Sequence, residues 1–471
     1  MTITSDRGAR LRALALSFST AAVAALALSA CGGGGGGVPA APSGSPGPVP
    51  SPAPTPTYAI GGSIAGLDSA GLALTDGTNT LAVDAGATSF VFPGRQADGT
   101  AYSVTIAAQP ASRAQTCSLG GGSGTLAGAD ASVAVECHAT QWSASSISGG
   151  QQDFATAYVD GPAAASTFLF TRGDVARGAD GNLYVADAGD SVIRRIAPDG
   201  TSSTYAGARQ SGFSRVAVDG PAASAMFKEP SGLAFGPDGS LFVADEGAIR
   251  RIAADGTVST FAGSNTLLGN VDGAAVDARF RGALALRFGP DGSLFVVDYE
   301  DVGNYVIRKV AADGAVSTFA GSGSSGIADG TGTAASFLMP QSLAIDAGGD
   351  VYVGDVNAIR KITPDGVVST LVANSDYGQG LDCPAIPDSG HPICSTRGLA
   401  FDAAGNLYVA DDFMERMLLI APDGTITTAY SGPLEFGPTS ILVDTDGTVV
   451  VANHTGATSA YRDSVERLSP N

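Results

Sequence analysis

Positive charge is scarce in this sequence. The 471-residue chain carries 25 Lys and Arg against 45 Asp and Glu, a formal net charge of −20. Such a surface repels nucleic acid and anionic membranes. No basic cluster or interleaved aromatic platform offsets it, so nucleic acid is excluded as a partner. Charge of either sign is thin, at 15% of residues, while Gly reaches 65. That balance suits turn-dense β structure rather than a helical bundle. Histidine is limited to His138, His391 and His454, and no HExxH, GxSxG or P-loop sequence occurs. The familiar zinc-protease, serine-hydrolase and nucleotide-binding signatures are therefore missing. No CxxC pair and no D-x-D-x-D-G loop with its closing Glu is present either, so neither a zinc ribbon nor an EF-hand is encoded.

What the chain does hold is a repeat. The stretch 231–263, SGLAFGPDGSLFVADEGAIRRIAADGTVSTFAG, returns in variant form at 174–207, 283–321, 342–373 and 398–432, with a worn sixth copy at 440–471. The residue ending each "YVAD"-like run is Asp187, Asp245, Asp298, Asp355, Asp411 and then Asn453, at steps of 58, 53, 57, 56 and 42 residues. A period of this size marks a repeat architecture. Each copy reads as four short strands. GLAF is a short apolar strand, PDG is a turn, LFVAD is β-branched and aromatic, and AIRRI and VSTFAG flank a second DG turn. Four antiparallel strands make a blade, and blades set radially make a propeller. The sixth copy stops at VERLSPN without a fourth strand. Upstream, ASSISG (144–149) aligns with VSTFAG, so the N-terminal segment is expected to close the ring by supplying that strand.

These copies resemble the NHL-repeat family of six-bladed β-propellers. The linkers DGPAAASTF (160–168), DGPAASAMF (219–227), DGAAVDARF (272–280) and DGTGTAASF (329–337) share the DG…A-x-F spacing of bacterial NHL repeats. The resemblance covers about residues 142–471. It specifies fold far more than chemistry, because one fold hosts many functions.

Residues 1–30 read as a secretory signal, with Arg7, Arg10 and Arg12 ahead of an apolar run. The run ends Leu28-Ser29-Ala30-Cys31, which resembles the lipobox of bacterial lipoproteins; that resemblance implies cleavage before Cys31 and lipid on its sulfur. Gly32 rather than Asp follows, which by the same resemblance implies the outer membrane of a Gram-negative cell. Residues 31–57 are a Gly/Pro-rich linker, extended and unable to bury a core. Residues 58–138 read as a small β-sandwich of Ig-like type, with strand candidates YAIGGSIA, LALT, NTLAV, SFVF, YSVTIAA and ASVAVEC. It resembles small β modules that follow lipobox linkers in bacterial surface proteins. Residues 139–471 are the six-bladed repeat domain. The overall expectation is an all-β chain.

With Cys31 set aside for lipid, four cysteines remain. Local pairing, Cys117 with Cys137 and Cys383 with Cys394, is the simplest of the three connectivities that four cysteines allow.

The most irregular linker, 374–397, contains Tyr377, His391 and Arg397 together with the second cysteine pair. Function on repeat scaffolds sits in such face loops, so these three residues are the expected contact site. The recurrent aspartates suit a hard cation in type. One per repeat spread around a ring does not converge, however, so no cofactor is predicted, calcium or another divalent cation being the alternative. The expectation is that each Asp fixes the hairpin turn after its strand and faces the Arg of the next one, Arg194, Arg250, Arg308 or Arg360. The fifth copy has Leu418 at that position and the sixth Glu466. Trp142, the sole tryptophan, is expected to anchor the closing strand. The function expected is a lipid-anchored envelope scaffold that binds a protein or a polysaccharide and meets the membrane only through its lipid. The alternative is a metal-dependent lyase or hydrolase working in the propeller channel.

Overall fold

A computed structural model describes residues 55–110, 115–149, 158–169, 173–210, 215–299, 305–373, 393–431, 437–455 and 462–470. Residues 1–30, read from the sequence as a signal, and Cys31, Tyr377, Cys383 and His391 lie outside the described residues. Within them the protein is all β, the single helical turn being a 3-10 turn at Gly332–Ala334. No helix there is long and apolar enough to cross a membrane.

The described residues of the N-terminal part build two principal sheets, with two further strand pairs, Thr57–Tyr58 with Gln96–Ala97 and Ala101–Ser103 with Ser123–Thr125. One principal sheet orders its strands Ser89–Val91, Ile60–Ala65, Ala131–Ala139, Gln115–Gly120; the other orders Thr80–Val83, Leu72–Thr75, Thr105–Ala108. Ala131–Ala139 alternates, sending Val133, Val135 and Cys137 inward. They meet Ile60, Ile64, Leu72, Leu74 and Phe90 in one apolar core, the period-two burial that half-exposed strands require. Ile60–Ala65 pairs parallel with Ala131–Glu136. Gly62 permits this close approach, because a Cβ there would strike the Val133 carbonyl. Cys117 faces Cys137 directly across the antiparallel pair, and the two are disulfide-bonded over 20 residues of sequence. The strand carrying Cys117, QTCSLG, was not among the sequence expectations, since its polar and glycine content hides it.

The C-terminal part comprises six sheets, each with four principal antiparallel strands. In the second sheet these are Pro230–Phe235, Leu241–Asp245, Ala248–Ile252 and Thr257–Gly263. The first strands of the six sheets touch in sequence order, and the first sheet's touches the sixth sheet's, so the ring is closed. Trp142–Ser148 pairs antiparallel with Arg462–Pro470, which places the N-terminal strand as the outer strand of the sixth sheet, as alignment predicts. Second strands are sandwiched on both sides: Leu183–Asp187, Leu241–Asp245, Leu294–Asp298 and Leu407–Asp411 are buried throughout. That is why they read as continuous apolar runs. In three sheets the aromatic of the second strand meets an aromatic of the next sheet. Tyr184 meets Phe235, Phe242 meets Phe288 and Tyr352 meets Phe401, edge to face at 4.9–5.1 Å. The PDG elements are hairpin turns. In one, Asp238 accepts the Ser240 amide at 3.0 Å and Gly239 takes φ of 78°.

Candidate functional site

The Asp of the second strand faces the Arg of the third in four sheets. Arg194, Arg250 and Arg308 place Nη1 at 3.3, 3.0 and 2.7 Å from Asp187, Asp245 and Asp298, and Arg360 lies 3.7 Å from Asp355. The role expected for the Asp needs correction. In the second, third and fourth sheets it holds not the hairpin that follows but the linker arriving at its own sheet, whereas Asp411 of the fifth accepts the amides of both Ser395 of the linker and Met414 of the hairpin. Asp245 accepts the amides of Lys228 and Glu229 at 2.7 and 2.8 Å, Asp298 those of Arg281 and Gly282, and Asp355 those of Leu338 and Met339. A turn reading misses this because the partners are distant in sequence.

The same arginines explain the DG…A-x-F linker. Their Nη2 atoms bind Asp160, Asp219, Asp272 and Asp329 at 2.6–2.9 Å. Their planes lie 4.9–5.4 Å from the rings of Phe168, Phe227, Phe280 and Phe337. Burial pushes the Asp187 carboxyl up to about 7 and Asp355 up to about 6, against the pull of Arg194 and of the Leu338 and Met339 amides. In the fifth sheet Leu418 replaces the Arg, and Arg416 pairs with Asp411 at 3.1 Å instead. In the sixth, Asn453 accepts the Gly437 amide at 2.6 Å and meets Glu466 at 3.3 Å. These clusters pin linkers to sheets; they do not form a site.

Strand register gives the ring two unlike faces. First strands begin where second strands end, where third strands begin and where fourth strands end, as in the pairs Pro230–Asp245, Asp245–Ala248 and Ala248–Gly263. On the opposite face the links are tight turns such as Gly236–Ser240 and Ala253–Thr257. The connections between sheets therefore all leave from one face. The segment 374–392 lies outside the described residues, but its flanks, Ala373 and Ile393, belong to that face.

A cup opens there, at the starts of the six first strands. Gly173, Asp174, Ser231, Arg287, Tyr299, Gln341, Ser342, Arg397, Thr439 and Ser440 are in its wall, around a cavity of about 70 Å³ that opens to solvent. Its floor is an ion pair thrown across the ring. Arg287 of the third sheet holds Asp174 of the first at 2.7 and 3.2 Å, while Ser440 of the sixth and the Leu233 amide of the second donate to the same carboxylate at 2.5 and 2.9 Å. Asp174 raises the guanidinium of Arg287 above its ordinary range although burial works the other way. Arg287 also lines a second cavity between the other ends of the strands, beside Phe235, Phe288 and Phe401, so the pair divides the channel.

Of the three contact residues expected from the sequence, Arg397 is at the rim of the cup, 2.8 Å from Asp412. Tyr377 and His391 lie outside the described residues. Cys394 is disulfide-bonded. The other histidines are elsewhere: His138 lies 3.8 Å from Glu136 in the small domain, and His454 holds Asp463 at 2.6 Å in the sixth sheet. Among the described residues no three His, Cys, Asp or Glu side chains gather as a metal site needs. The Asp174–Arg287 pair was not anticipated. The signal was available, because Asp174 and Arg287 stand where the other copies carry Gly, Ala, Ser or Leu.

No protein-family model matches the chain. The fruit-fly protein Teneurin-m is 28% identical over 288 residues, 57% of this chain, which spans only 10% of that relative's length. A solved protein of unknown function from Bacteroides thetaiotaomicron superposes with a TM-score of 0.50 at 15% identity, covering 85% of this chain and 90% of its own. A gluconolactonase from Xanthomonas campestris gives a TM-score of 0.42 at 15% identity, over 64% and 87% of the two chains. Likeness at this level concerns fold alone. With the closed ring of four-strand sheets, the class is a β-propeller.

Proposed function

We propose that this chain is a lipid-anchored binding scaffold of the cell envelope. In this reading a six-bladed NHL-type propeller, 139–471, is carried on an Ig-like module, 58–138. The linker 31–57 tethers both to a lipid on Cys31 at the outer membrane of a Gram-negative cell. The partner is an envelope protein or a polysaccharide. One observation carries the reading: the face that gathers the connections between sheets is also the face where the cup opens, while the other face carries the short turns within sheets and the entry of the small domain at Trp142. A rigid ring with its variable segments and its concavity on one side is the arrangement of a recognition surface.

The test is crosslinking of the full lipoprotein in its own envelope, beside a version shortened across 383–394. A partner held by the intact form and lost by the shortened, still folded form supports the scaffold. Equal capture by both removes that loop from the site. The metal-dependent lyase or hydrolase needs convergent ligands, and elemental analysis with a chelator melt tests it; a bound divalent ion that raises the melting temperature would favour it.

A further inference from the structure

We infer that the cup is a subsite for a hydroxylated carboxylate, presented by the partner as the terminal acidic sugar of a polysaccharide. The inference rests on the scaffold reading and names its ligand class. It follows from what the polar groups of the cup have left to offer. Ser231 donates to the Leu284 carbonyl at 2.9 Å, Ser342 to Thr396 at 3.0 Å and Thr439 to Gly173 at 3.0 Å, and Ser440 donates to Asp174. Each hydroxyl has one hydrogen, and oxygens of the ring take it, Thr439 also having Ala452 of its own sheet within reach at 3.1 Å, so lone pairs are what remain for a ligand. These positions are acceptors.

The charged donors are two guanidinium groups, beside the side-chain amide of Gln341 and the hydroxyl of Tyr299. Arg287 commits Nη1 to Asp174, Leu233 and Leu286, and Nη2 to Asp174 through one contact of 3.2 Å. A guanidinium has five N–H donors, so Arg287 keeps capacity at Nε and Nη2. Its side chain is 24% exposed, toward the cavities it lines. Arg397 approaches Asp412 through Nε at 2.8 Å with its side chain 33% exposed, which leaves its paired Nη groups at the rim. A paired fork of this kind fits a carboxylate. A ring of acceptors beside it fits the hydroxyls of the same molecule. A neutral sugar leaves the fork unused, and a simple carboxylate leaves the acceptors unused. Unpaired polar groups of this kind are what give a site its discrimination.

Geometry limits how the ligand arrives. The Asp174–Arg287 pair closes the floor, so a polymer cannot thread through and presents an end. Both arginines are already neutralised by Asp174 and Asp412. The cup is therefore close to neutral within an acidic chain, and binding should be only weakly salt-dependent, unlike attraction to a basic patch.

The experiment is calorimetry on the purified full chain with D-galacturonate, galactose, acetate and a galacturonate trimer. The expected result is galacturonate at least about tenfold tighter than galactose or acetate, with a further loss of about tenfold in Arg397→Gln at unchanged melting temperature. Trimer binding tighter than monomer assigns the source to a polysaccharide end; equal binding assigns it to a free hydroxy acid. Failure of the wild type to bind galacturonate overturns the inference, as does equal binding of galactose or acetate, or a folded Arg397→Gln protein with full affinity. If Arg397→Gln unfolds, Arg397→Lys serves, with reduced affinity expected and full affinity refuting. Envelope crosslinking decides the scaffold separately, so loss of the sugar site alone leaves a protein partner in place.

Discussion

Replacing Arg250 by Leu tests the account of the repeat directly. The side chain is fully buried and holds Asp245 at 3.0 Å, Asp219 at 2.6 Å, and the carbonyls of Met226 and Val218 at 3.0 and 3.1 Å. Asp219 is half-exposed and returns to water at little cost. Asp245 cannot, and removing one partner of a buried ion pair costs about 3–5 kcal/mol. The two carbonyls push the total toward the upper end. The double variant Arg250→Leu/Asp245→Asn should be the milder one by about 2 kcal/mol, because an Asn oxygen still accepts the Lys228 and Glu229 amides. Sheet six already shows that solution in Asn453 and Gly437. The assay is denaturant unfolding at pH 8 and pH 5. Burial already raises the Asp245 carboxyl; without its Arg it takes up a proton, so the single variant's deficit should shrink at pH 5. A loss below about 1 kcal/mol at pH 8, or a double variant worse than the single, would refute the pinning role; 1 kcal/mol is the scale of an exposed pair.

Three further outcomes are expected. Asp187 and Asp355 have folded values of about 7 and about 6, raised by burial above the 3.8 of an ordinary Asp. The stability they contribute is thus full below about pH 4 and lost as pH rises toward 7, so the melting temperature should fall across that window and Asp187→Asn should flatten the fall; a rise there contradicts the assignment. Cys117→Ser should destabilise the small domain by about 3 kcal/mol, as expected for a crosslink closing a loop of this length, with the ring transition unmoved in calorimetry; a shift of the ring transition instead would contradict it. Ile147→Asp, on the closing strand and packed against the Phe168 and Val450 cluster, should weaken the ring by about 1–3 kcal/mol. It should also shift Trp142 emission to the red, since Trp142 sits edge to face with Tyr408 at 6.2 Å; unchanged emission on loss of the strand would refute the anchor role.

The strands of the repeat were legible because each local signal agrees with the others. The DG turns, the β-branched second strand and the DG…A-x-F linker recur in phase, and the missing fourth strand at the C-terminus matches an orphan copy upstream. What the sequence hid were relations between distant residues. Nothing near Asp245 says that its hydrogen-bond partners are amides sixteen and seventeen residues earlier. Likewise nothing in QTCSLG marks a strand, since its inward cysteine stands among polar and glycine neighbours.

The repeat is most informative where it is broken. First strands hold small or aliphatic residues at the positions of Asp174 and Arg287, because six strands crowd one axis and bulk or charge there must be accommodated. A single carboxylate in one copy and a single guanidinium two copies later satisfy each other at 2.7 Å. A buried pair of this kind is weak support for stability. Apolar residues at both positions would close the axis as well, without desolvating two charges. The pair instead supplies a polar floor to a cup whose rim carries Arg397 and whose wall hydroxyls have turned their hydrogens away. Retaining charge at the one place where the ring could have been sealed with alanine is what a binding cup requires and a purely structural ring does not.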